Sequence, residues 1–166
     1  MSPVLKYFNL WRHGRGFGIH SPFAFRFITE VLRLRTPYYA YRDIPDRGRL
    51  RQIFRVVCHF RAQRVAVLSD TSGPIEAAVR RVGRAVQTVK DNPDFVVADM
   101  RVATSEAIAA FIAGGASGAY LLNCNRSMLD AVTATMSRGM SFDNCRGTVV
   151  IAALPHLPRQ DFKVKF

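Results

Sequence analysis

Acidic residues are scarce. Only 12 Asp and Glu stand against 24 Lys and Arg, which leaves the 166-residue chain with a formal charge of +12. That excess favours nucleic acid or another anionic surface as a partner, and it is equally ordinary in an arginine-rich protein with no such partner. The arginines recur along the whole chain, so a basic tail is excluded as the source of the charge. Cysteine is rare too. Cys58, Cys124 and Cys145 are odd in number and widely spaced, which excludes a zinc-ligand pattern and suits a reducing cytoplasm. No apolar run reaches the length that crosses a bilayer. The opening residues lack the apolar core and small-residue cleavage pattern of a signal peptide. Internal repeats and flexible interdomain linkers are missing. Together these absences predict a cytoplasmic protein without a membrane span.

What is present is a chain that is 49% apolar, enough for an adequate core in one domain. Its organising stretch is 64–89. Val65 to Leu68 is a short apolar strand, Ser69-Asp70-Thr71-Ser72-Gly73-Pro74 supplies turn and helix-start residues, and Ile75 to Val82 has helical spacing. Gly83 stops that helix, and Ala85 to Val89 follows as a second strand. This is a β-α-β unit, the device that builds a parallel sheet covered by helices. Ligands of such sheets bind beyond the carboxyl ends of the strands, which places a small-molecule site near Asp70 to Gly73.

Residues 1–45 differ in texture and are expected to form a helical arm and an aromatic connector. Ser21 can cap a helix with Pro22 at its first position, and Phe23, Phe27, Val31 and Leu34 mark its apolar face. Pro37 ends the helix ahead of Tyr38-Tyr39-Ala40-Tyr41. The arm is readable as a cover over one edge of the core or as an RNA-stacking platform, because arginine and tyrosine both stack on bases. His13 and His20 have no local co-ligand for a metal, so a structural hydrogen-bonding role is expected of both.

The stretch Arg12-His13-Gly14, then Gly18-Ile19-His20-Ser21-Pro22-Phe23 and Phe27, followed by the tyrosine connector, resembles the N-terminus of a group of class I S-adenosylmethionine-dependent methyltransferases. The resemblance implies an α/β fold: a three-layer sandwich with a reduced Rossmann-like core over 46–166, a mostly parallel sheet and a C-terminal antiparallel hairpin. It implies S-adenosylmethionine as cofactor. In that group the first strand ends in an acidic residue and a glycine-rich turn, to which Asp70, Ser72 and Gly73 correspond, although only one of the glycines is kept. An acidic residue after the second strand holds the ribose hydroxyls, and Asp91 is the nearest match. A strand of the type D-L-V-F-I-D-G ends in an aspartate bordering the active cleft, and Asp99 in Asp94-Phe95-Val96-Val97-Ala98-Asp99 occupies that position. The acidic pair and histidine found after the following strand are replaced here by Asn123-Cys124-Asn125.

The residues themselves leave other readings open. Asp91-Asn92-Pro93 is also an ordinary surface turn, and Cys124, with no histidine near it in sequence, reads as an inert half-buried thiol. Only four residues separate Val89 from Asp94, whereas a βαβ crossover needs about ten or more. One α/β unit of the group's sheet is therefore expected to be missing. Helices are further expected over Asp46–Phe60, Ser105–Ala113 and Met128–Met136, and strands over Ala119–Leu122, Arg146–Ala152 and Asp161–Phe166, the last two forming the closing hairpin.

Three functions fit. The resemblance implies a methyltransferase-like protein with weak or lost activity toward an unidentified methyl acceptor, with no catalytic base and no metal ligands identifiable. A noncatalytic homologue would act as a scaffold or through a protein partner. A basic RNA-associated protein would use Arg12, Arg15, Tyr38 and Tyr39, and its binding would weaken with salt.

Overall fold

The computed structural model describes residues 20–36, 39–44 and 48–166. Arg12, His13, Gly14, Arg15, Gly18, Ile19 and Tyr38 lie outside the described residues. The strands are β1 (Arg64–Leu68), β2 (Gln87–Thr88), β3 (Phe95–Asp99), β4 (Gly118–Leu122), β5 (Met140–Asp143), β6 (Thr148–Ala152) and β7 (Gln160–Lys163). They form one seven-stranded sheet in the order β2-β1-β3-β4-β6-β5-β7. Neighbouring strands from β2 to β4 are parallel. β6 is antiparallel to both β4 and β5, and β7 returns to a parallel pairing with β5. β6 alone therefore runs against the other six. This is the expected Rossmann-like α/β architecture with an antiparallel C-terminal pair.

Helices cover both faces. Side chains alternate across a strand, so Val65, Val97, Tyr120 and Val150 share one core with α1 (Pro22–Arg26), its π-helical continuation Phe27–Leu32, α2 (Arg49–His59) and α3 (Ser72–Arg80). Ala66, Val96, Ala98, Leu121 and Ile151 face the opposite core, which α4 (Ser105–Ala113) and α5 (Arg126–Thr133) close with Ile108, Leu129 and Val132. The central strands β3, β4 and β6 are buried along their whole length, as strands covered on both faces should be. A polar link crosses the first core: the hydroxyl of Tyr120 donates to Gln52 Oε1, and Gln52 Nε2 donates to the carbonyl of Leu32 at 2.9 Å.

Ser21 caps α1 through its hydroxyl, which accepts from the amide of Ala24 at 3.3 Å, with Pro22 at the first helical position. Phe27 and Val31 are buried as the spacing predicts, but Leu34 is not part of the buried face. The helix widens to i→i+5 bonding at Phe27, with Arg33 N–H donating to the carbonyl of Ile28 at 2.9 Å. The wider turn brings Ile28 and Leu32 into the core instead.

The hairpin differs from the expectation. Its partners are β5 and β6, whereas the terminal strand β7 lies outside β5, with Phe142 opposite Phe162. The turn Asn144–Gly147 closes the hairpin because Asn144 Oδ1 accepts from the amides of Arg146 and Thr148.

The short connection after β2 is also accounted for. β2 has two residues, so the chain has little length to retrace before β3. It passes the amino end of β1, where Arg64 Nη2 and Nε donate to the carbonyls of Asp91 and Asn92 at 2.9 and 3.0 Å. The carboxylate of Asp94 then accepts from the amides of Gln63 and Arg64. No strand lies beyond β2 among the described residues.

Candidate functional site

The carboxyl ends of β1, β3 and β4 converge with the β5–β6 turn, because β6 runs backward and its first residue Thr148 pairs with Leu122 at the end of β4. Four segments meet at this edge: Ser69–Gly73, Asp99–Ala103, Asn123–Arg126 and Asn144–Gly147.

Asp99 is its centre. The residue is 4% exposed and ends β3. Its Oδ2 accepts from Arg101 Nη2 at 2.6 Å and from Nε at 3.2 Å, while Oδ1 accepts from the Arg101 amide at 3.0 Å and from Asn123 Nδ2 at 2.9 Å. The Arg101 hydrogen bonds hold the Asp99 carboxyl well below the usual carboxylate range, against the opposing effect of burial, and Asn123 adds to the depression. The Arg101 guanidinium is in turn held protonated by Asp99 and, more weakly, by the negative charge of Asp70. Arg101 itself is largely in solvent.

Asn123 reaches Asp99 from a left-handed backbone, φ 52°. Asparagine tolerates this region better than most residues. Gly147 packs against it: a Cβ there would lie 3.5 Å from Asn123 Cα, and the Gly147 carbonyl accepts from the Cys124 amide at 3.0 Å. Asn123 thus acquires a role as the second support of Asp99. Sequence reasoning treated it only as the replacement of a carboxylate. The separation Asp99-x-Arg101, with Asn123 directly after the following strand, is the sequence signal for both partners.

The other expected residues divide. Asp70 is exposed one residue beyond the turn start and within electrostatic reach of Arg101, so Asp70 and Asp99 share one edge. Ser72 and Gly73 open α3 at the same edge, and a Cβ at Gly73 would meet nothing within 4 Å. The N-cap Thr71 gives α3 no side-chain cap; Ser69 Oγ instead accepts from the Thr71 amide at 3.2 Å. Asp91 does not join them. Its carbonyl is held by Arg64 at the first residue of β1, the end away from Asp70. The turn Asp91-Asn92-Pro93 has Asn92 at φ 46°, the left-handed corner that reverses the chain.

No family model, curated protein or solved structure matches the chain.

Cys124 is buried and its thiol reaches only the Asn125 carbonyl, at 3.5 Å. Burial, and then the charge of Asp143, push the thiol up to about 11. At neutral pH it is a protonated core group and not a nucleophile. Among the described residues no group of three His, Cys, Asp or Glu is placed to hold a metal, and no helix is long and apolar enough to cross a membrane.

Proposed function

We propose that this is an S-adenosylmethionine-dependent methyltransferase-like protein whose activity is weak or lost. The observation that carries the reading is the occupancy of Asp99. Both carboxylate oxygens are satisfied by Arg101 and Asn123, so the acid that would border an acceptor is already paired inside the chain. Asp70, Ser72 and Gly73 remain open at the same edge and supply the remnant of a cofactor turn. Asp91, whose carbonyl is held by Arg64 at the amino end of β1, is at the opposite end of that strand from Asp70 and adds no ribose contact to this edge. Cys124 offers no alternative chemistry, since its thiol is protonated and buried.

Calorimetric titration with S-adenosylmethionine and S-adenosylhomocysteine tests the reading. The expected result is heat only at millimolar ligand, or none. A micromolar isotherm that disappears in both Asp70→Ala and Gly73→Ala would restore a working cofactor site and overturn the proposed loss.

A further inference from the structure

We propose that Tyr39 and Arg42, backed by Arg51, form a stacking and phosphate-binding face for single-stranded RNA. Tyr39 opens the 3-10 helix Tyr39–Asp43 and is 83% exposed, whereas the other aromatic ring of the same short helix, Tyr41, is buried at 5%. A ring this exposed buries little apolar area for the fold. The Arg42 guanidinium lies 5.4 Å from the Tyr39 centroid, with Nη1 3.5 Å from its hydroxyl. One face of the ring is thereby held by a cation and the ring remains accessible from solvent, which is how a base meets an aromatic platform beside a phosphate contact.

Tyr41 anchors this platform. Arg51 stacks over its ring at 4.8 Å, and Arg55 Nη1 donates to its hydroxyl at 3.0 Å. Arg51 Nη2 also donates to the Tyr41 carbonyl, while its Nε is buried without a hydrogen-bond acceptor. Arg55 donates to the carbonyls of Val31 and Leu32. None of these guanidinium groups is bonded to a carboxylate. Other arginines do form ion pairs: Arg80 with Glu76, Arg101 with Asp99, Arg126 with Asp130 and Arg159 with Asp161. Among the described residues no carboxylate is paired with Arg42, Arg51 or Arg55, in a chain already at +12. Phosphates supply an anion for the Arg42 guanidinium. Bases supply the flat partner for Tyr39, and a single strand offers both together.

The test is fluorescence anisotropy of a labelled oligouridylate against the full chain at several salt concentrations. Binding should weaken linearly in log K against log salt. Tyr39→Ala should weaken it about fivefold or more, and Tyr39→Phe should keep most of it, because the ring and not the hydroxyl stacks. Arg42→Ala should weaken binding and also flatten the salt slope. Arg80→Ala, on α3 and paired with Glu76, should change neither. Absence of binding at 50 mM salt, equal affinity for duplex RNA, or an unchanged Tyr39→Ala would overturn the proposal. So would binding to phosphatidylserine vesicles with none to the oligonucleotide, which would assign the face to membranes.

Discussion

At the residue scale the pairing of Asp99 sets a pH dependence whose sign is fixed. The folded chain favours the ionised carboxylate, so its proton is taken up first by the unfolded chain as pH falls. The resulting stability is complete above the ordinary carboxylate range, about pH 4–5, and drains away toward lower pH. Asp99→Asn should lower unfolding stability by about 1–3 kcal/mol at pH 7, the range for hydrogen bonds to a charged group. Urea titrations at pH 7 and pH 3 should show the deficit shrinking in acid. A deficit of equal size at both would assign the loss to packing instead. Cys124 makes the complementary case. Its thiol, raised to about 11 by burial, should resist iodoacetamide in the native protein at pH 8 and react once urea exposes it. Rapid native labelling would contradict the buried placement.

At the element scale two glycines differ in the room the fold leaves for a side chain. Gly118 starts β4, and a Cβ there would collide with the Ile151 carbonyl in β6 and come within 3.0 Å of the Phe95 ring. Gly118→Ala should therefore destabilise the sheet by roughly 1–3 kcal/mol or more. Gly73→Ala meets nothing and should leave the melting temperature within about a degree or two, since it sits at an uncapped helix start in open space. Thermal melts of the two variants side by side check both statements. The elements with strong periodicity were legible before the fold: Ser105–Ala113 agrees at both ends, and β1, β3, β4 and β6 agree to within two residues. β5 was not, because Met140–Asp143 is four residues beside a turn glycine and carries too few alternations to register as a strand. α5 begins at Arg126, two residues earlier than its apolar pattern, because Asn125 Oδ1 accepts from the Met128 amide and caps it. The carboxyl-edge position of Asp70 and Asp99 followed from strand logic. The displacement of Asp91 did not, since it depends on a two-residue β2 and on the side chain of Arg64 at the far end of β1.

At the scale of the whole molecule one ring joins three regions. Phe142 in β5 lies 5.0 Å from Phe27 of the π-helical segment and stacks at 5.3 Å on Phe162 of β7. Phe142 is fully buried, and its removal leaves a cavity between the N-terminal arm, the sheet and the edge strand. Phe142→Ala should cost about 3–5 kcal/mol. Hydrogen exchange should show protection lost together in 27–32 and 160–163 while 105–113, on the other face, is spared. Loss confined to the edge strand would deny the coupling.

The reversed strand β6 also imposes an order on synthesis. In the sheet it stands between β4 and β5, but a ribosome releases it after both. Until Ala152 emerges, nine residues behind Asp143, β5 is without either strand it bonds to, β6 or the later β7, a wait for β6 of roughly 0.5–2 s at ~5–20 residues per second. During that interval β4, α5 and β5 are a complete β-α-β unit, and the edge of β4 that β6 finally occupies is vacant beside a strand of parallel sense. Hairpin closure takes only about 1–10 μs, so the turn at Asn144–Gly147 captures β5 almost as soon as β6 is available. Nascent chains halted between Asp143 and Thr148 are thus the ones in which the wrong neighbour has no competitor.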